Sequence, residues 1–158
     1  MNLDSIFSIA PFSWGAIGAA LFCGTVIGLE RQLRGKPVGI RTSSLIVLGT
    51  YLFIAVSSTV NNDVTDPTRV IGQVVTGIGF LGAGVMLAKE GVVVGATSAA
   101  AIWTLAAIGV CIAMVDEWVA IKMSLIVVVI LYGVDWLEEY SSVLTRGVHS
   151  KYDNWRKK

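Results

Sequence analysis

The feature that most constrains this chain is a set of four stretches without a single charged residue, at 12–29, 42–60, 70–88 and 96–115. A helix that crosses a lipid bilayer needs about 20 mostly apolar residues. A fifth stretch, 118–137, carries Lys122 near its start, where the long side chain can reach the membrane surface. Lipid offers backbone groups no hydrogen-bond partner, so membrane spans of this kind must be helical. We therefore predict an all-α polytopic membrane protein with five transmembrane helices within residues 1–137.

Composition excludes the main soluble alternatives. Of the 158 residues, 54% are hydrophobic and only 15% are charged, whereas a soluble domain carries about 25% charged residues. A chain this short has too little interior to bury so much apolar surface in water. The formal net charge is +1, so the basic excess of a nucleic-acid-binding protein is absent and we predict no nucleic-acid partner.

The distribution of positive charge predicts the orientation. Two of the twelve Lys and Arg residues, Arg69 and Lys122, fall on one side of the predicted spans. The other ten fall on the opposite side, in the first and third connections and in a short basic tail at 138–158. Cytoplasmic segments carry the excess of Lys and Arg in membrane proteins. The N-terminus is therefore predicted to lie outside and the tail in the cytoplasm.

Small residues mark the helix faces that are expected to pack. Ala16, Ala20, Gly24 and Gly28 recur every four residues in the first span. Such a stripe lets backbones approach closely in lipid, either within one subunit or across a dimer. Both interpretations stay open from the residues alone. The third span is richer still in glycine, which also predicts close backbone approach; its glycines are Gly72, Gly77, Gly79, Gly82 and Gly84.

No sequence pattern of an enzyme is found. The chain lacks nucleotide-binding and zinc-protease motifs. The spacing Gly77-x-Gly79-x-x-Gly82 matches a dinucleotide fingerprint, but it lies in a membrane span and not after a soluble strand. We therefore predict that the protein is not an enzyme and has no resident cofactor.

A polar cluster at the cytoplasmic boundary is the candidate functional site. Glu30 and Arg31 stand where the first span ends, and charges there are costly unless they are paired or hydrated. We expect Glu30 to pair with Arg31 or Arg41. Two spans start nearby, with hydroxyl residues at positions suited to helix N-caps: Thr42 in one, Thr97 and Ser98 in the other. The cluster is interpreted either as an anion or phosphate-headgroup site or as a loop that only sets orientation.

Several motifs in order then carry a resemblance. They are Gly24-x-x-x-Gly28-Leu29-Glu30-Arg31-Gln32, Gly39-x-Arg41-Thr42, Gly77-Ile78-Gly79-Phe80-Leu81-Gly82-Ala83-Gly84, Gly95-x-Thr97-Ser98-Ala99-Ala100 and Trp103. In this order and spacing they resemble the MgtC/SapB family of bacterial inner-membrane proteins. The resemblance implies a five-helix membrane domain linked to growth in low magnesium and to acid stress. It also implies that Mg²⁺ is a ligand or substrate to consider, and that the F-type ATP synthase is a partner to consider.

Two functions follow as alternatives. Virulence-type members of that family continue into a soluble C-terminal domain, whereas this chain ends at Lys158, so it resembles the short, SapB-like branch. The first alternative is a membrane-embedded regulator that acts through helix–helix contacts and forms a homodimer. The second is a transporter or channel for Mg²⁺ or another small solute, with a pathway along Gly77, Gly79, Phe80, Gly82, Gly84 and Trp103. Charge-free spans favour the first, because a cation conduit needs carboxylates or stacked carbonyls in the membrane.

Overall fold

The computed structural model describes residues 8–59, 67–89 and 92–140. This part of the chain folds into five helices and one short hairpin. The elements in order are α1 (Trp14–Leu33), α2 (Ile40–Thr59), α3 (Pro67–Gly84), β1 (Leu87–Lys89), β2 (Val92–Val94), α4 (Ala96–Met114) and α5 (Glu117–Tyr140). The prediction of an all-helical fold is confirmed for these residues apart from the hairpin.

Two of the helix starts follow directly from their capping residues. Ser13 precedes α1, and its hydroxyl accepts a hydrogen bond from the backbone N–H of Ala16 at 3.0 Å. Asp116 precedes α5, and its carboxylate accepts from the N–H groups of Trp118 and Val119 at 2.8 and 3.1 Å. Both residues satisfy N–H groups that have no partner within the helix.

Four of the described helices are long and apolar enough to cross a membrane: α1, α2, α4 and the segment Glu117–Val134 of α5. The third predicted span is not among them. Arg69 and Gln73 lie in the first half of α3, and five glycines contribute no apolar side chain. Four spans are therefore supported by length and composition, and the fifth stays a prediction.

The predicted extent of the third span is wrong at its end. Helix α3 stops at Gly84, and residues 87–89 form a strand that pairs antiparallel with residues 92–94, Leu87 opposite Val94 and Lys89 opposite Val92. Three consecutive valines favour extended backbone over helix. The apolar stretch thus contains a hairpin strand as well as a helix. The absence of charged residues, which predicted the span, cannot distinguish a strand from a helix.

The core lies between α1, α2, α4 and α5, and α3 packs mainly against α4. The core side chains that are completely buried include Ala20, Cys23, Ile27, Val47 and Leu105. Helix α4 approaches α2 closely at Gly109. A Cβ added there would lie 2.6 Å from the carbonyl oxygen of Val47 and 2.7 Å from the Cβ of Thr50.

The small-residue stripe of α1 belongs to this core. A Cβ added at Gly28 would lie 2.6 Å from the Cα of Ile40, and one at Gly24 would lie 2.7 Å from the backbone nitrogen of Ser44. Ala16 and Ala20 are buried as well. The stripe is therefore the seam between α1 and α2 within one subunit, and it is not available as a dimer seam.

Candidate functional site

The site is built on the end of α1, which a glycine closes. The N–H of Lys36 donates to the carbonyl of Arg31 at 2.9 Å, and the N–H of Gly35 donates to that of Gln32 at 3.1 Å. Gly35 has a φ of 62°, the left-handed conformation that this type of helix end requires. The chain then turns towards α2, whose first N–H, that of Ile40, donates to Oε1 of Gln32 at 3.3 Å.

A buried group of charges forms in the last turn of α1. We call Glu30, Arg31, Arg34 and Ser98 the arginine cluster. Glu30 lies 3.1 Å from Nε of Arg34 through one carboxylate oxygen and 3.5 Å from Nη1 of Arg31 through the other. Arg31 is 2% exposed and Glu30 is 7% exposed. Ions this deeply buried lose much of their hydration, so their protein partners decide whether they are tolerated.

The cluster joins α1 to α4. Nη2 of Arg31 donates to the hydroxyl of Ser98, in the first turn of α4, at 3.5 Å. Arg34 also lies over the ring of Tyr132 in α5, with its guanidinium carbon 4.9 Å from the ring centroid. The last turn of α1 therefore contacts α4 through Arg31 and α5 through Arg34, and these contacts connect the three helices at one end of the bundle.

Hydrogen bonding in the cluster is incomplete. Among the described residues, Nε of Arg31 has no acceptor, and neither carboxylate oxygen of Glu30 makes a hydrogen bond. Glu30 lies 3.1 Å from Nε of Arg34 without a hydrogen bond between the two groups, so this contact is mainly Coulombic. Buried polar atoms normally have partners, so these atoms are the chemically unusual feature of this end of the bundle.

The start of α4 differs from the sequence prediction. Its N-cap is Gly95, which has a φ of 96° and provides no side-chain hydrogen bond. Thr97 is the second residue of the helix and is exposed, whereas Ser98 is buried and contacts Arg31. A Cβ at position 95 would collide with the carbonyl oxygen of Val85. The segment after α3 therefore comes so close that only glycine fits at position 95. This position is the N-cap of α4, a role that the sequence analysis gave to a hydroxyl residue.

Arg41 and Thr42 lie outside the cluster. Both are exposed near the start of α2. That helix begins at Ile40, so Thr42 is its third residue, and the predicted N-cap role is wrong. The ion-pair partners of Glu30 in the described chain are Arg31 and Arg34. The Arg31 alternative is thus the one observed, and Arg34 was missed although it stands four residues after Glu30, the spacing of neighbours on a helix face.

The residues of the proposed pathway do not surround a common space. Phe80 is 81% exposed and Trp103 is 54% exposed. A Cβ added at Gly72, Gly77, Gly79 or Gly84 would meet nothing within 4 Å. A Cβ added at Gly82 would make only ordinary contact, 3.6 Å from the carbonyl oxygen of Ala99. The expectation of close backbone approach along α3 is therefore wrong, and most of its glycines point outward.

A polar cavity lies at the opposite end of the bundle, and sequence reasoning missed it. Its volume is about 310 Å³, and it lies where α1 and α5 begin and α2 ends. Its polar lining consists of Ser13, Tyr51, Ser58, Asp116 and Glu117. The hydroxyl of Tyr51 accepts from the N–H of Ser13 at 3.1 Å. One oxygen of Glu117 is buried without a hydrogen-bond partner. In the sequence, the two adjacent acidic residues at 116 and 117 were the feature that could have indicated a polar site here.

The profile of the MgtC family matches residues 17–140, which is most of the chain and includes the arginine cluster. The chain belongs to the MgtC family. The matched region runs from the start of α1 to the end of α5, so the family's shared part is the membrane domain described above.

Individual relatives support the MgtC assignment. The chain is 48% identical over 110 residues to "Putative magnesium transporter YhiD" of Escherichia coli K12, covering 65% of this chain and 51% of that protein. It is 46% identical over 95 residues to "Protein MgtC" of Brucella abortus, covering 60% of this chain and 39% of that one. The chain thus spans about half or less of the length of these MgtC relatives. No solved structure gives a significant match.

Within 8–59, 67–89 and 92–140, no three His, Cys, Asp or Glu side chains come together in a way that could hold a metal ion. Asp116 and Glu117 form a pair at most, next to the hydroxyls of the cavity. A hydrated Mg²⁺ ion is often bound through one or two carboxylates and its own waters. Within the described ranges, Asp116 and Glu117 are therefore the two neighbouring carboxylates that could contact a hydrated Mg²⁺ ion.

Proposed function

We propose that this protein is a membrane-embedded regulator of magnesium homeostasis in the bacterial inner membrane, active under low magnesium or acid stress. It acts through helix–helix contacts with a second copy of itself or with another membrane protein. The F-type ATP synthase is one candidate for that second kind of partner. Membership of the MgtC family and the names of the relatives supply the link to magnesium.

The observation that carries the proposal is the interior of the bundle. Between the arginine cluster at one end and the cavity at the other, most core side chains are small or aliphatic and buried, such as Ala20, Ile27 and Leu105. The buried hydroxyls of Ser43 and Ser124 donate to backbone carbonyls. A hydrated divalent ion needs oxygen ligands or waters along its whole path. An interior that is packed and apolar supports a role in binding rather than in conduction.

The outer surface of α3 supports the same proposal. It presents an open row of glycines together with exposed Gln73 and Thr76. Small residues on a membrane helix permit close contact with another helix, and polar side chains add hydrogen bonds across it. We propose this face as the contact surface for the second copy or the partner protein.

The orientation proposed from the sequence completes this function. Most of the Lys and Arg residues lie at the end of the bundle that carries the arginine cluster or in the tail that follows α5. Under the positive-inside rule this end faces the cytoplasm. The cavity with Asp116 and Glu117 then opens to the outside of the membrane. Helix α3 is the remaining membrane span, in addition to α1, α2, α4 and α5.

The cavity favours a second candidate function, a transporter for Mg²⁺ or another small solute. Two adjacent carboxylates and three hydroxyl groups line a space of about 310 Å³ that reaches the end of the bundle. An outward-facing vestibule of this kind attracts cations. Transport would require the core to open, because the fully buried residues beneath the cavity leave no passage.

Proteoliposomes containing the purified full chain distinguish the two candidates. Entry of Mg²⁺ is followed with a trapped indicator, against empty liposomes and against Glu117→Gln. The regulator proposal expects no entry above empty liposomes. Saturable entry that Glu117→Gln reduces would overturn it and support transport.

The contact surface is tested in a bacterial strain that lacks its own copy of the protein. Gly79→Leu is compared with Gly18→Leu, since both glycines have open space around them but only Gly79 lies on α3. The proposal expects Gly79→Leu to abolish growth rescue in low magnesium while the protein still accumulates. Equal rescue by both variants would contradict the proposed contact surface.

A further inference from the structure

The first turn of α4 is an unusual place for a buried arginine. The N-terminal end of a helix carries unpaired N–H groups and a partial positive charge. Gly95 contributes no side chain that could accept from those N–H groups. Arg31 adds a full positive charge at the same point, 3.5 Å from Ser98. The start of α4 and the guanidinium group of Arg31, which both attract anions, therefore lie side by side. The described residues place no acidic cap at this helix start.

The orientation of Arg31 sharpens this observation. In a guanidinium group, Nε–H and Nη2–H point in the same direction and form the edge that grips two oxygens of a carboxylate or phosphate. Nη2, one of the two nitrogens of this edge, reaches Ser98, so one end of the edge lies at the first turn of α4. Nε on the same edge has no acceptor among the described residues, although Arg31 is only 2% exposed. Half of the paired donor edge is thus unused.

Glu30 does not occupy that edge. Its carboxylate lies 3.5 Å from Nη1, a different nitrogen of Arg31, and 3.1 Å from Nε of Arg34. One carboxylate facing two guanidinium groups leaves the cluster with a positive excess. The contact with Ser98, at 3.5 Å, is at the outer limit for a hydrogen bond and is easily exchanged for a charged acceptor.

We propose that the Nε–Nη2 edge of Arg31 and the first turn of α4 bind a phosphate group. One phosphate oxygen accepts from Arg31, and another accepts from N–H groups at the start of α4, as anions do at helix N-termini. Thr97, in the same turn of α4, is exposed at the surface. A lipid headgroup and free inorganic phosphate share this chemistry. The site goes beyond the regulatory role proposed above and does not depend on it.

The test uses the full chain in a neutral detergent, with backbone N–H resonances of Thr97 and Ser98 as the readout. One arm adds inorganic phosphate, with chloride at equal ionic strength as its control. The other arm adds phosphatidylglycerol, with diacylglycerol as its control because that lipid has the same chains and no phosphate. Saturable shifts in both arms indicate a general phosphate site, and shifts with phosphatidylglycerol alone indicate a lipid site. No saturable shift in either arm would overturn the proposal.

Variants assign the binding to the paired donor edge. Arg31→Lys keeps the positive charge but lacks two parallel donors, so phosphate affinity should fall about tenfold or more. Lys36→Gln removes an exposed charge from the nearby loop and should leave the affinity within about twofold. Equal affinity of Arg31→Lys and the unchanged protein would overturn the assignment. If a variant fails to fold, the titration of the unchanged protein still tests whether phosphate binds.

Discussion

Nη2 of Arg31 lies 3.5 Å from the hydroxyl of Ser98, and this contact joins the last turn of α1 to the first turn of α4 across 67 residues of sequence. Both side chains are almost completely buried. The same guanidinium group faces Glu30, so one arginine connects a carboxylate on its own helix to a hydroxyl on another. The stability of this end of the bundle should therefore depend strongly on Arg31.

Replacing Arg31 with Gln should lower the free energy of unfolding by about 3–5 kcal/mol. The loss arises because Glu30 is then left buried with only Arg34 to balance it. The measurement is reversible unfolding in mixed detergent micelles. Arg41→Gln is the control, since Arg41 is exposed and should cost less than about 0.5 kcal/mol. Equal effects of the two substitutions would contradict a special role for the buried arginine.

Replacing Gly28 with Ala should destabilise the subunit itself by about 1–3 kcal/mol or more. The added Cβ would lie 2.6 Å from the Cα of Ile40, and backbone on both sides cannot move away as a flexible side chain can. Thermal unfolding of the purified protein measures this. Gly18→Ala, where nothing lies within 4 Å, should be at least as stable as the unchanged protein, because Ala favours helix over Gly. A stable Gly28→Ala protein with altered oligomeric state would instead place a dimer seam here.

Replacing Gly95 with Ala should also destabilise the fold, by at least about 1 kcal/mol. Position 95 has a φ of 96°, which L side chains rarely adopt, and its Cβ would collide with the carbonyl of Val85. Gly84→Ala provides the comparison, because its surroundings are open and Ala favours helix over Gly. Unfolding midpoints of the two proteins should shift in opposite directions. The same sign for both would argue against the close approach at the start of α4.

Replacing Tyr51 with Phe should cost about 1 kcal/mol. The phenol oxygen accepts a hydrogen bond from the N–H of Ser13, and without it that N–H has to find another partner beside the cavity. The edge contact between ring 51 and Phe12 does not need the hydroxyl and should persist. Hydrogen exchange at the N–H of Ser13 should become faster. Unchanged exchange would show that the hydrogen bond contributes nothing at this helix start.

The membrane class, most of the helices and the family were predictable from the sequence. Apolar stretches without charge have few alternatives to a membrane helix, because the cost of leaving backbone groups unpaired in lipid acts on every residue. A pair between Glu30 and Arg31 was one of two alternatives that the sequence offered, since both charges stand at the end of a span; the structure decided between Arg31 and Arg41. The involvement of Arg34 follows from its helical spacing once the helix is known to continue to Leu33.

Where the third span ends was not predictable from charge alone. Residues 85–88 are as apolar as the helix before them, yet a strand begins at Leu87. The strand forms because its hydrogen bonds are made with residues 92–94, and a partner segment does not show in local hydropathy. Gly95 shows the same limitation, because the carbonyl of Val85 that excludes a side chain there comes from a neighbouring segment.

The sequence by itself determined that this chain is a helical membrane protein of the MgtC family with its charges gathered at the helix ends. The tertiary structure alone decided which small-residue faces are used. The stripe at Gly24 and Gly28 is buried against α2, whereas the glycines of α3 mostly face outward. In lipid every face of such a helix is apolar, so hydrophobicity cannot choose among them, and the fit of one backbone against another makes the choice.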